Sequence, residues 1–85
     1  MSAGLPTQLK WRDFVHVLKQ LNYEPCGGKA GSARNFKNGN PPAGMPPIVT
    51  FHEPHGSDTI RQGTLGMYIR KLGISRDEFL RLLNG

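Results

Sequence analysis

Basic side chains are the clearest candidates for chemistry, and several of them flank the small-residue turn Gly31-Ser32. Phosphate groups attract Lys and Arg whatever the sequence, and a glycine turn lets the backbone approach a phosphate closely. Arg70 and Lys71 come where a helix should end, and the helix dipole favours cations there without any ligand. Lys29 and Lys37 are therefore the stronger candidates for phosphate binding. The full basic set is Lys29, Arg34, Lys37, Arg61, Arg70 and Lys71.

A second group of reactive side chains is the tetrapeptide His52-Glu53-Pro54-His55. Two histidines three residues apart could ligate a metal ion, but Pro54 disrupts a helix and no third ligand is evident. We therefore predict neither a metal site nor a cofactor. The single cysteine, Cys26, excludes an intrachain disulfide and fits a reducing, cytoplasmic compartment.

The chain has 85 residues, with 11 Lys and Arg against 6 Asp and Glu, which gives a net charge of +5. This length predicts a single domain over residues 1–85, with a short flexible lead-in at residues 1–6. A small basic domain suits a nucleic acid or an acidic protein partner, although charge alone would serve solubility equally well. We expect no signal peptide and no membrane partner, because no segment approaches the roughly 20 apolar residues of a membrane span.

Apolar residues at helical spacing predict three helices. The first covers residues 9–21, and its apolar stripe is Trp11, Phe14, Val15, Leu18 and Leu21. The second is marked by Leu65, Tyr68, Ile69 and Leu72. We predict Thr64 as its N-cap and Gly73 as its stop. Ser75 and Glu78 form a capping-box pattern before a third helix over residues 76–83.

Three strands are predicted between the first two helices. Residues 48–52 are β-branched and aromatic and give the clearest strand. Residues 33–38 form another, and residues 23–28, which contain a proline, form an irregular edge. A turn at residues 29–32 joins the first two strands. Residues 39–47 hold four of the seven prolines, so we predict a long loop there.

This order predicts an α+β fold, α-β-β-β-α(-α), with a three-stranded antiparallel sheet and the helices on one face. The other face is then free for a ligand or partner. If the second and third strands pair around the loop, Phe36 lies near Val49 and Ala33 lies near His52. Arg34 would face away from Ala33, whereas Lys37 would share its face.

Several stretches, in this order and spacing, resemble a HicA-type toxin, the mRNA interferase of a bacterial toxin–antitoxin pair. They are Gly31-Ser32 with Arg34-Asn35-Phe36, Ile48-Val49-Thr50-Phe51, Gly63-Thr64-Leu65, Ile69-Arg70-Lys71-Leu72-Gly73-Ile74-Ser75 and Glu78-Phe79-Leu80. With the first helix they cover nearly the whole chain. The resemblance implies a fold similar to a double-stranded-RNA-binding domain. It also implies metal-independent endoribonuclease activity on mRNA and a HicB-type antitoxin that covers the active site, so that toxin and antitoxin would form a hetero-oligomer.

The resemblance makes Ala33 a conspicuous residue, because the family carries its catalytic histidine after Gly-Ser or Gly-Gly. A histidine could move a proton to or from the 2′-hydroxyl or the leaving oxygen of RNA, and an alanine methyl cannot. The sequence alone does not separate an engineered replacement from a natural variant, although the intact surrounding motif favours the former. Gly66, where the family often has a polar or basic residue, and the proline-rich loop are further departures.

We therefore interpret the chain as an RNA-binding toxin of the endoribonuclease class, catalytically silenced at Ala33. The predicted RNA-binding residues are Lys29, Ser32, Arg34 and Lys37, and His52 is the candidate catalytic neighbour. The alternative is a non-catalytic module of the same fold that binds RNA or a partner protein.

Overall fold

The computed structural model describes residues 4–85 and, for residues 28–30, the backbone alone. Its elements in chain order are β1 (Gln8–Lys10), α1 (Trp11–Gln20), β2 (Glu24–Ala30), β3 (Ala33–Lys37), β4 (Ile48–His52), β5 (Thr59–Arg61), α2 (Gln62–Leu72) and α3 (Arg76–Asn84). The predicted α+β class and its three-stranded antiparallel sheet, in the order β2-β3-β4, are confirmed. A second, two-stranded sheet of β1 and β5 was not predicted.

The register of β3 against β4 is the one predicted from the sequence. Phe36 stands opposite Val49 and Ala33 stands opposite His52. Phe36 and Val49 are buried, whereas His52 is exposed, so the two pairs lie on opposite faces of the sheet. Burial of one face fixes the register, because a slip of one residue would turn the apolar side chains to water.

The first hairpin is tighter than predicted. The expected four-residue turn at residues 29–32 is wrong in its bounds, because Ala30 pairs with Ala33 and leaves only Gly31 and Ser32 between the strands. Gly31 has a φ of 58°, which suits the first central position of a two-residue hairpin. The predicted irregularity of β2 is confirmed, since its register shifts between Cys26 and Ala30.

The core is aromatic and centres on Phe14 of α1, which is fully buried. Its ring meets that of Phe51 edge-on, with 4.9 Å between the ring centroids. The rings of Tyr68 and Phe79 lie 5.6 and 6.1 Å from it. One ring from α1 therefore joins β4, α2 and α3, which places the helices on one face of the main sheet.

The predicted start of the first helix, at residue 9, is wrong. Leu9 lies in β1 opposite Ile60 of β5, and both side chains are buried. The helix begins at Trp11, whose backbone N–H donates to the Asp58 carbonyl oxygen at 2.7 Å. A three-residue strand carries too little alternation to be distinguished from the start of a helix.

The predicted N-cap of the second helix, Thr64, is also wrong. The helix begins two residues earlier, at Gln62, whose backbone N–H donates to the Thr7 carbonyl oxygen at 3.0 Å. The Gln62 side chain donates to the Leu5 carbonyl oxygen at 2.7 Å, and Leu5 is buried. Backbone from the start of the described chain thus serves this helix end where a capping side chain was expected.

The other helix boundaries follow the predictions. Gly73 ends α2 in the left-handed region, with φ at 78°. Ser75 caps α3, since its Oγ accepts from the backbone N–H of Glu78 at 3.1 Å. The Glu78 carboxylate does not complete the capping box, because it pairs with Arg81 at 2.6 and 2.9 Å.

One hydrogen bond joins the two ends of the predicted loop over residues 39–47, and another holds its second end against the core. Asn38 N–H donates to the Pro47 carbonyl oxygen at 2.8 Å, and the buried Tyr23 hydroxyl donates to the Pro46 carbonyl oxygen at 2.6 Å. The division into a single domain with a lead-in at residues 1–6 stays a prediction, and residues 1–3 lie outside the described chain.

Candidate nucleic-acid interface

The sheet face turned away from the helices carries most of the predicted site. Because side chains alternate along a strand, Ala33 and Lys37 of β3 share this face with Asn35 between them. Opposite them on β4 stand His52, Thr50 and Ile48. We call these six residues the open face: Ala33, Asn35, Lys37, Ile48, Thr50 and His52. The prediction that the sheet leaves one face free of the helices is confirmed.

Position 33 lies at one end of the open face, between two polar side chains. Across the strand is His52, whose Nδ1 lies 3.2 Å from the Oγ of Ser32. The backbone N–H of Glu53 donates to the Ser32 carbonyl oxygen at 2.8 Å, which ties the turn to the end of β4. Ser32, Ala33 and His52 are therefore brought together, as the sequence predicted for the last two.

Arg34 lies on the opposite side of the sheet from Ala33, as predicted, and its guanidinium is already engaged. Its Nε donates to Glu53 Oε1 at 2.9 Å. Its Nη1 donates to the carbonyl oxygens of Gly31 and Ala33 at 2.8 and 2.9 Å. These bonds fix the shape of the turn before position 33. Sequence reasoning missed this role, because a strand arginine beside a glycine turn gives the same signal as a phosphate ligand.

Helix α2 holds the outer edge of β4 through two side chains that sequence reasoning assigned elsewhere. The Tyr68 hydroxyl lies 3.2 Å from both the backbone nitrogen and the carbonyl oxygen of His52. Lys71 Nζ donates to the Thr50 carbonyl oxygen at 2.9 Å and lies 5.8 Å from the centre of the Phe51 ring. The sequence carries no signal for these contacts, because they depend on how α2 packs against β4.

The remaining predicted RNA-binding residues are Lys37 and Lys29. Lys37 is exposed on the open face, four residues along β3 from position 33, a span of about 13 Å. The side chain of Lys29 lies outside the described residues. Arg70 and Arg61 are exposed elsewhere, on α2 and β5, and are not part of the open face.

Two further observations concern ligands and membranes. Within the described part of the chain, His, Cys, Asp and Glu side chains nowhere converge in a group of three or more. None of the helices in residues 4–85 combines the length and the apolar character needed to cross a bilayer. The absence of a metal site stays a prediction.

Comparison with known families decides the relationship of this chain. A family model described as "HicA toxin of bacterial toxin-antitoxin" matches residues 11–74. The chain belongs to the HicA toxin family. The matched segment begins at the first residue of α1 and ends at Ile74, two residues after the end of α2. It therefore contains the whole main sheet and the open face.

Membership of the HicA family confirms the resemblance drawn from the sequence and places the chain among the toxins of bacterial toxin–antitoxin systems. The sheet with helices on one face agrees with the double-stranded-RNA-binding-domain-like fold of that family. Helix α3 and the Gln8–Lys10 strand fall outside the match. Neither a curated protein nor a solved structure matches the chain.

Proposed function

We propose that this HicA-family chain binds RNA on its open face and is an endoribonuclease whose acid–base residue is missing at position 33. The observation that carries the proposal is the place of Ala33, directly opposite His52 at the exposed end of the sheet. Arg34 donates two hydrogen bonds to backbone carbonyl oxygens at the neighbouring turn and a third to the Glu53 carboxylate. A position opposite a histidine and next to a hydrogen-bonded turn suits a larger, reactive side chain than alanine.

The reaction requires proton transfer at two oxygens. A base removes the proton of the 2′-hydroxyl, whose oxygen attacks phosphorus, and an acid protonates the 5′-oxygen as the P–O bond breaks. A histidine at position 33 would perform one of these steps near neutral pH without a metal ion. Alanine performs neither, so this chain is expected to bind RNA and leave it intact.

His52 is the candidate for the second proton transfer. Side chains directly opposite each other in an antiparallel pair have their Cβ atoms about 5 Å apart, which lets two imidazoles face one phosphate. Ser32 Oγ, at 3.2 Å from His52 Nδ1, orients the ring and leaves Nε2 for the substrate.

Lys37, Lys29 and Ser32 would hold the RNA backbone. Lys37 lies about 13 Å along β3 from position 33, so it would contact a different phosphate from the one at position 33. Arg34 acts as a positioning residue, because its donors already serve Glu53 and the turn carbonyl oxygens. Its loss would disorder position 33 rather than remove a phosphate contact.

The experiment that tests the proposal is Ala33→His, with Ala33→Gln as a control of similar size that cannot transfer protons at neutral pH. The histidine variant should cleave RNA at least about a hundredfold faster than the parent chain, in EDTA as well as without it. The glutamine variant should stay inactive. A folded Ala33→His protein that leaves RNA intact would show that the catalytic assignment is wrong.

The family also points to a cognate antitoxin of the HicB type, and the open face suits a partner that masks the active site. Ile48 is 63% exposed on this face, next to Lys37, so a partner there would cover apolar as well as basic surface. The alternative function, a binding module without catalysis, rests on Ala33 itself. A natural gene that encodes alanine at position 33 would favour it.

A further inference from the structure

A cleft continues from the open face beyond His52, towards β5 and the start of α2. It has a volume of about 300 Å³. Ser32 and His52, the neighbours of position 33 in the turn and on β4, are among the residues that line it. The polar lining residues from β5, the start of α2 and the loop before β5 are His55, Thr59, Arg61 and Thr64.

The buried residues that line the cleft give it a largely apolar floor. Ile60 and Tyr68 are 2% and 7% exposed, and Pro54 lies beside them. The Tyr68 hydroxyl is held by the backbone of His52, so the ring is fixed in place. An apolar floor with polar groups on the rim is the usual form of a small-ligand site, and this volume lies at the lower end of the range for such sites.

The rim of the cleft is cationic. Arg61 is exposed, and it belongs to neither of the ion pairs found among the described residues, which join Arg34 to Glu53 and Arg81 to Glu78. Among the described residues that line the cleft, Glu53 is the one carboxylate, and Arg34 neutralises it at 2.9 Å. The cleft therefore favours an anionic ligand.

We infer that this cleft binds one nucleotide of single-stranded RNA beside the phosphate at position 33, with the Arg61 guanidinium on the next phosphate. The inference rests on the proposed function and adds a direction to it. The strand runs from Lys37 over position 33 and into the cleft, where a base or ribose packs on Tyr68 and Ile60. A duplex does not fit, because the cleft admits a single nucleotide and not a paired one.

The experiment uses the chain with Ala33, which is expected to leave RNA intact, and a short fluorescein-labelled single-stranded RNA. Fluorescence anisotropy over a series of salt concentrations gives Kd and its salt dependence. Arg61→Gln removes the rim charge, and Arg76→Gln is the matched control, because Arg76 is an exposed arginine that does not line the cleft. Thr64→Trp fills the cleft without any change of charge.

We expect Arg61→Gln to weaken RNA binding by roughly fivefold and to reduce the salt slope by about 0.7, the value for one phosphate contact on a single strand. Thr64→Trp should weaken binding with the salt slope nearly unchanged, and Arg76→Gln should stay within about twofold of the parent chain. Circular dichroism and thermal melting establish that each variant is folded. A duplex of the same sequence should bind less tightly than the single strand.

Two results would overturn the inference while RNA binding by the open face stands. One is RNA binding by Arg61→Gln and Thr64→Trp with the affinity of the parent chain. The other is competition between poly-glutamate and RNA, together with an equal loss of affinity for both ligands in Arg61→Gln. The cleft would then be a general anion-binding surface or a binding site for an acidic protein. No RNA binding by the parent chain even at low salt would overturn both the inference and the proposed function.

Discussion

The hydroxyl of Tyr68 lies 3.2 Å from both the backbone nitrogen and the carbonyl oxygen of His52. One side chain of α2 thus satisfies the outer edge of β4 at the residue that faces position 33. The contact has two consequences. It occupies the hydrogen-bonding groups of the edge strand at His52, and it couples the position of His52 to the packing of the helix.

Tyr68→Phe should therefore affect both stability and function. It removes the hydroxyl that accepts from the His52 backbone N–H and donates to the His52 carbonyl oxygen. Loss of these two hydrogen bonds should lower the free energy of unfolding by about 1–2 kcal/mol. In the Ala33→His background, it should also slow RNA cleavage, because His52 loses its anchor. Urea unfolding and a cleavage assay measure the two effects.

Tyr23→Phe is the matched control, since the Tyr23 hydroxyl also makes a hydrogen bond to backbone, but to Pro46, which precedes the opposite end of β4 from His52. It should lower stability by about 1 kcal/mol and leave cleavage by the folded protein unchanged. An equal loss of cleavage in both variants, under conditions where both are folded, would contradict a specific role for Tyr68.

Gly73→Ala should destabilise the protein by at least about 2 kcal/mol. Gly73 has a φ of 78°, and a Cβ there would overlap the carbonyl oxygen of Gly44 in the proline-rich loop. Gly66→Ala in the same helix is the control, because its Cβ would lie 3.8 Å from Leu5 Cδ1, an ordinary contact. Gly66→Ala should stabilise the protein by up to about 1 kcal/mol. Urea unfolding measures both variants, and midpoints that move in the same direction would contradict the prediction.

Ser75→Ala tests the observed helix cap against the one wrongly predicted. It removes the acceptor of the Glu78 backbone N–H and should cost about 1 kcal/mol of stability. Thr64→Ala should cost nothing and stabilise by up to about 0.5 kcal/mol, because Thr64 lies inside α2 and alanine is the better helix former. Thermal unfolding of the two variants compares them directly, and a larger loss for Thr64→Ala would restore the sequence-based assignment.

The parts of the fold that the sequence predicted are those where burial leaves one solution. Phe36, Val49 and Phe51 must face the helices, so the register of β3 and β4 follows, and with it the pairing of Ala33 with His52. The two-stranded sheet escaped prediction, because Leu9 and Ile60 lie about fifty residues apart in strands of three residues each.

The sequence predicted that Ala33 and His52 lie opposite each other, but not the hydrogen bonds around them. The glycine turn and the family pattern located position 33, yet the roles of Arg34 and Tyr68 depend on which partner each polar atom meets in three dimensions. An arginine on a strand and a tyrosine in an apolar helical stripe have the same sequence signature with or without those partners. The sequence did not reveal the roles that a side-chain hydrogen bond decides, as at Arg34 and Tyr68.

The pH dependence of stability should carry a signal from Tyr23. Burial raises the pKa of the Tyr23 phenol above its ordinary value of 10.0. The folded state therefore favours the protonated form, whose hydroxyl donates to the Pro46 carbonyl oxygen at 2.6 Å. This contribution is complete below pH 10.0 and is lost as the pH rises through the folded-state pKa.

Tyr23→Phe should thus be less stable than the parent chain at neutral pH by about 1 kcal/mol, with a difference that narrows above about pH 10. Urea unfolding of both proteins from neutral to alkaline pH measures it, and a difference that stays constant over this range would show that Tyr23 ionises alike in both states.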